Sequence, residues 1–93
     1  MSFNQETATN RAKQDMAGRL NLDENAISVV SVNEKDFPDM SLGAPVEGEM
    51  SAQMISSGWE IVLGAAGHKY NYRADKYQLR LVNEKGSNHI IVS

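Results

Sequence analysis

Apolar residues recur along this chain with two different periods, and the change of period marks its organisation. From Gln5 to Leu20 they return every fourth position, at Ala8, Ala12, Met16 and Leu20, with Ala17 beside them. That spacing predicts an amphipathic helix over about 5–20 with one narrow apolar stripe. Arg11, Lys13, Gln14, Asp15 and Arg19 fall largely on the other face. Ser2 followed by Gln5 suits a capping box, Asn4 is a rival cap, and Asn21 suits the left-handed residue that ends a helix.

Beyond the turn Asp23-Glu24-Asn25 the period becomes two. Ile27-Ser28-Val29-Val30-Ser31-Val32 predicts a strand over about 27–33. Its alternation slips at Val29-Val30, which predicts a bulge or burial on both faces. Trp59, Ile61 and Leu63 oppose Glu60 and Val62 in a strand over about 58–64. His68, Tyr70 and Tyr72 oppose Lys69, Asn71 and Arg73 over 68–74, and Tyr77, Leu79 and Leu81 oppose Gln78, Arg80 and Val82 over 77–83. His89 to Val92 reads as a last strand over 89–92, and Met50 to Ile55 as a further short one. Gly64-Ala65-Ala66-Gly67 and the segment Asn83 to Asn88 read as turns.

One helix and several strands with an apolar side each predict an α+β fold. The expected arrangement is an N-terminal helix packed on an antiparallel four- to five-stranded meander sheet, in a single domain over 1–93. Ala12, Met16, Leu20, Trp59, Ile61, Leu63, Tyr70, Tyr72, Leu79 and Leu81 are the expected core.

The pattern breaks once, over about 36–49. Asp36-Phe37-Pro38-Asp39-Met40-Ser41-Leu42-Gly43-Ala44-Pro45-Val46-Glu47-Gly48 holds both prolines of the chain and two of its glycines. A small domain keeps such a long shaped loop for packing or for recognition. Phe37, Pro38, Asp39, Met40, Ser41, Leu42, Gly43 and Pro45 are therefore the candidate contact residues, for a protein partner. Leu42 discriminates between the two roles. Exposed, it would anchor a partner; buried, it would make the loop a plug folded back over the sheet.

Composition narrows the chemistry. The net charge of −3 argues against a general polyanion binder, and the absence of cysteine excludes disulfides and thiolate metal sites. Charge is unevenly spread: six acidic residues and one lysine lie between Glu34 and Glu60, five basic and two acidic ones between His68 and Lys85. The N-terminus does not read as a signal peptide, and no apolar run approaches the roughly 20 residues of a membrane span. No nucleophile elbow, phosphate-binding glycine loop or paired-histidine zinc motif occurs, so catalysis is the least expected role. His68, Asp75 and a serine make a triad only on paper. Asp36, Asp39, Glu47 and Glu49 could offer oxygen ligands to calcium, but they lack the EF-hand spacing and read as solvated charge; no metal and no cofactor is expected. Lys69, Arg73 and Arg80 share a sheet face, but the tyrosines Tyr70, Tyr72 and Tyr77 alternate with them toward the core, so nucleic-acid binding is not expected. Glu60 reads as a cross-strand partner of the basic residues.

The run Phe37-Pro38-Asp39-Met40-Ser41-Leu42-Gly43-Ala44-Pro45 with Gly48, followed by Gln53, Gly58, Ile61, Leu63 and Tyr70-Asn71-Tyr72 with Asp75, resembles a small uncharacterised bacterial domain. Its members resemble the pattern W-P-D-x-S-L-G-C-P-x-x-G in this loop. Phe37 stands where they have tryptophan and Ala44 where they usually have cysteine, so the bridge that the cysteine could form is missing here. The resemblance implies a fold and an extracytoplasmic setting, in exported proteins or lipoproteins, without an activity. The expected function is thus a non-catalytic interaction domain using the 36–48 loop as its contact surface. The alternatives are a structural or accessory module of an envelope protein, with the loop as packing element, and a proteinase inhibitor presenting Leu42.

Overall fold

A computed structural model describes residues 2–93. Helix α1 (Gln5–Leu20) leads into a single 3-10 turn (Glu24–Ala26) and five strands: β1 (Ser28–Phe37), β2 (Ser56–Ala65), β3 (His68–Ala74), β4 (Leu79–Glu84) and β5 (Ser87–Val92). The strands form one antiparallel sheet in the order β1-β2-β3-β4-β5. This is an α+β fold, one helix on a five-stranded meander.

Local chemistry accounts for the boundaries. Asn4 caps α1: its Oδ1 accepts from the Thr7 amide at 2.8 Å, and Thr7 Oγ1 accepts from the Asn4 amide at 2.9 Å. The reciprocal box is therefore Asn4–Thr7 and not Ser2–Gln5, because the helix starts at Gln5, which makes Asn4 the N-cap and Thr7 the third helical residue. Asn21 ends the helix with φ 55°, the left-handed residue that the sequence predicts. Ala66-Gly67 and Lys85-Gly86 have positive φ throughout, as two-residue hairpin turns between twisted strands require.

Strand β1 runs to Phe37, beyond the expected end at 33, and its register shifts between Val29 and Ser31 where the alternation slips. Met50 to Ile55 form no strand, and β4 begins at Leu79 and not at 77. The reason for the latter is Asp75, whose Oδ1 accepts from the amides of Tyr77 and Gln78 at 2.8 and 3.0 Å and so turns the chain there. Tyr77 consequently lies 69% exposed on the turn and not in the core.

The core lies between α1 and one sheet face. Ala8, Ala12, Met16 and Ala17 meet Ile27, Ile61, Leu63, Ala65, Tyr72, Ala74, Leu79 and Leu81 there. Trp59, Tyr70 and Leu20 pack at its margin, half-buried. The alanine stripe removes side-chain bulk, so the helix can approach the sheet closely; each fully buried Leu, Ile or Met contributes about 1.5–3 kcal/mol. Among the described residues one polar link crosses this layer: Tyr72 Oη donates to Asp15 Oδ2 at 2.7 Å, which also takes Arg19 Nε at 2.7 Å. Burial first, and then this bond, push the Tyr72 hydroxyl pKa far up.

Candidate functional site

The segment that follows β1 crosses the sheet face opposite the helix. Alternation puts Asn33, Lys35 and Phe37 of β1, Glu60 and Val62 of β2, Arg73 of β3 and Arg80 of β4 on that outer face. Arg73 Nε reaches Glu60 at 3.9 Å, the cross-strand pairing that the alternation predicts, and Lys35 Nζ adds a second partner at 3.4 Å. Phe37 is buried at the end of β1, with the Arg73 guanidinium carbon 5.6 Å from its ring centroid.

Pro38 then leads the chain into a turn organised by Asp39. Asp39 Oδ1 accepts from the Ser41 amide at 3.0 Å, from the Ser41 hydroxyl, and from the Gly43 amide at 3.1 Å. These bonds, the hydroxyl first and Gly43 next, hold its carboxyl below the usual range. Leu42 and Gly43 both have positive φ, 60° and 65°. For Gly43 the reason is space as well as angle, since a Cβ would lie 2.9 Å from Arg73 Nη1. For Leu42 the angle is a cost, offset because the reversal drives its side chain fully out of water, 0% exposed.

The backbone carbonyls of this loop are taken up by side chains of the sheet and of the turn before β4. Gln78 Nε2 donates to Met40 O at 2.7 Å, Arg73 Nη1 to Leu42 O at 2.8 Å, Arg80 Nη1 to Ala44 O at 3.0 Å and Asn88 Nδ2 to Pro45 O at 2.9 Å. Arg80 is the hub. It is 3% exposed, donates Nε to Gln78 Oε1 at 2.8 Å, and grips both carboxylate oxygens of Glu49. Those bonds, partly opposed by burial, hold the Glu49 carboxyl below its usual range. A buried guanidinium needs such complete pairing, because each unmet donor would carry its full desolvation cost.

The predicted contact residues thus separate by depth. Phe37, Ser41 and Leu42 are buried, Asp39 and Met40 half-buried, and Pro38, Gly43 and Pro45 exposed. Ala44, where the family pattern has cysteine, is buried too. Leu42 is closed to solvent, so it offers no anchor to a partner in this conformation. Gln78, Arg80, Glu49 and Asn88, which hold the loop, were not among the predicted residues. The available signal was Gln78 and Arg80 standing two apart on one face next to a loop rich in free carbonyls.

The hypothetical triad does not assemble: His68 starts β3 and Asp75 follows its other end. Asp75 instead binds Ser56 Oγ at 2.7 Å through Oδ2. No group of three or more metal-ligating side chains occurs among the described residues. Asp36 accepts from Ser57 Oγ at 2.7 Å and Glu49 is engaged by Arg80, so the acidic residues of this region face different partners. No helix among the described residues is long and apolar enough to cross a membrane.

A family model described as "Domain of unknown function (DUF8738)" matches residues 9–82, from the second turn of α1 into β4. The chain belongs to this family. The DUF8738 region holds most of the helix, the strap-like loop and the two arginines that bind it, while the whole of β5, with Asn88, lies beyond the matched residues. Comparison with curated proteins and with solved structures found no match.

Proposed function

We propose that the domain is a non-catalytic accessory module in which residues 38–49 form an internal strap across the outer sheet face. The burial of Leu42, with the carbonyls on either side of it held by the sheet, carries this reading. A proteinase-inhibitor loop would have to present Leu42 outward, and Arg73 and Arg80, the residues that would draw nucleic acid, are engaged by the strap. Leu42→Ala should therefore lower unfolding free energy by about 2 kcal/mol or more in chemical denaturation. Unchanged stability would overturn the packing role.

A second reading keeps a protein contact at the rim of the loop. Met50, Ile55 and Met54 are 98, 74 and 63% exposed, and Tyr77 is 69% exposed, its amide and the hydroxyl of Ser56, next to Ile55, both bound to Asp75. Exposed methionines and aromatics suit an adaptable contact. Replacing Met50, Ile55 and Tyr77 together by serine should abolish capture of a native partner while leaving the unfolding midpoint in place; capture that persists would remove the rim from the reading. The bacterial, envelope-associated setting rests on the resemblance of the Phe37–Gly48 segment and is tested by fractionating cells that express the native gene.

A further inference from the structure

The sheet has two edges, and β1, whose register shifts once between Val29 and Ser31, pairs without a break from there to Phe37. β5 breaks register between Leu79 and Arg80 and again between Leu81 and Glu84 of its partner. β1 offers ten residues on its outer side, and apart from its ladder with β2 no backbone hydrogen bond reaches them among the described residues. Asn33, Glu34, Lys35 and Asp36 are all exposed, so that edge lies open to an extended chain.

The side chains beside this edge have a definite character. On the helix-side face, Glu34 and Asp36 stand two apart, with Glu34 directly opposite Trp59 and Asp36 opposite Ser57. A groove of about 330 Å³ there is lined by Glu34, Asp36, Ser57, the half-buried Trp59 and Lys76. Neither Glu34 nor Asp36 has an ion-pair partner among the described residues. Lys35, which could guard the edge, points to the other face and is drawn to Glu60. Two carboxylates without an ion-pair partner, Asp36 also accepting from Ser57 Oγ, and an aromatic side chain complement a cation on an extended backbone.

We propose that β1 receives an extended peptide segment of a partner protein as a sixth strand, with Lys or Arg at alternate positions set against Glu34, Asp36 and Trp59. Main-chain bonds to the open edge would supply the affinity and the alternate basic residues the selectivity. This proposal is independent of the strap and of its rim.

Trp59 is the only tryptophan, so its fluorescence reports on the groove directly. The probe is a ten-residue peptide alternating arginine with threonine, titrated into the full chain, beside a copy with glutamate for arginine and a copy methylated on alternate backbone nitrogens. The arginine peptide should change Trp59 emission saturably, and the other two should not. E34Q combined with D36N, folded by circular dichroism, should weaken binding by about tenfold. Loss of binding on backbone methylation separates strand addition from simple charge attraction. Equal binding of the methylated peptide, no response to the arginine peptide, or an edge already covered by a second copy in sedimentation would each overturn the proposal.

Discussion

The two faces of the sheet are built on opposite principles. The helix side is an apolar layer in which Ala8, Ala12 and Met16 meet Ile61, Leu63, Tyr72, Leu79 and Leu81, with a tyrosine–aspartate bond across it. The strap side covers Phe37, Leu42 and Ala44, but it is fastened by Arg73, Gln78, Arg80 and Asn88 donating to loop carbonyls. A helix satisfies its own backbone and needs only an apolar stripe to dock. A loop brings unpaired carbonyls, so the surface that holds it must supply donors. Hence one face is selected for shape and the other for hydrogen-bonding geometry, and they should fail differently.

Arg80→Ala should give the largest difference. It leaves Glu49 and the Ala44 carbonyl without their donor, and about 3 kcal/mol of stability should go, as read by urea denaturation. Hydrogen exchange should rise over 38–49 while α1 stays protected. A uniform rise would mean that the two faces are one cooperative unit. Leu42→Ala, smaller, tests the same face through its apolar part.

Acid should distinguish the faces without mutation. Asp39 and Glu49 both have folded pKa values below their unfolded ones. Their contribution is full above the ordinary carboxylate range and is lost as pH falls through the lowered values, below about pH 4. Exchange measured from pH 7 down to pH 3, corrected for intrinsic rates, should open the strap before the helix. If α1 opens first or together with it, the contrast between the faces fails.

Tyr72→Phe probes the helix side. It removes the bond to Asp15 but keeps the ring, so the loss should be about 1 kcal/mol in thermal or chemical unfolding. A loss as large as that of Arg80→Ala would show that the helix side also depends on polar bonds. The smallest effect belongs to neither face: Lys85 sits at φ 53° in the β4–β5 turn, and Lys85→Asn should add about 0.5 kcal/mol without altering the exchange pattern.

The same contrast explains what could be read from the chain. The helix and the β2–β4 alternation were legible because apolar burial imposes a period, and Ile61, Leu63, Leu79 and Leu81 carry it plainly. The second half of β1 was not, because an edge strand exposed on both sides at Asn33–Asp36 has no apolar side to alternate. Tyr77 misled because a capped turn at Asp75 interrupts a pattern that continues in letters only. The loop's conformation was legible in Pro38, Gly43 and Pro45, but its attachment was not. A bond from Arg80 to a carbonyl leaves no periodic trace, and Glu49 looks like any solvated charge until the arginine is seen beneath it.

The connection between β1 and β2 has a consequence for the order in which the molecule is assembled. The later strands are joined by tight turns, whereas β1 reaches its partner only after the excursion from 38 to 55. Closing that longer loop costs more entropy than closing a hairpin, so pairing within β2–β5 is favoured first. The ribosome releases the chain in the reverse sense: α1, β1 and the strap emerge before any of the side chains that hold them. The strap can settle only when Arg73, Gln78, Arg80 and Asn88 have been made and arranged in neighbouring strands. It is therefore synthesised early and locked late, and its closure signals that the fold is in place as far as Asn88.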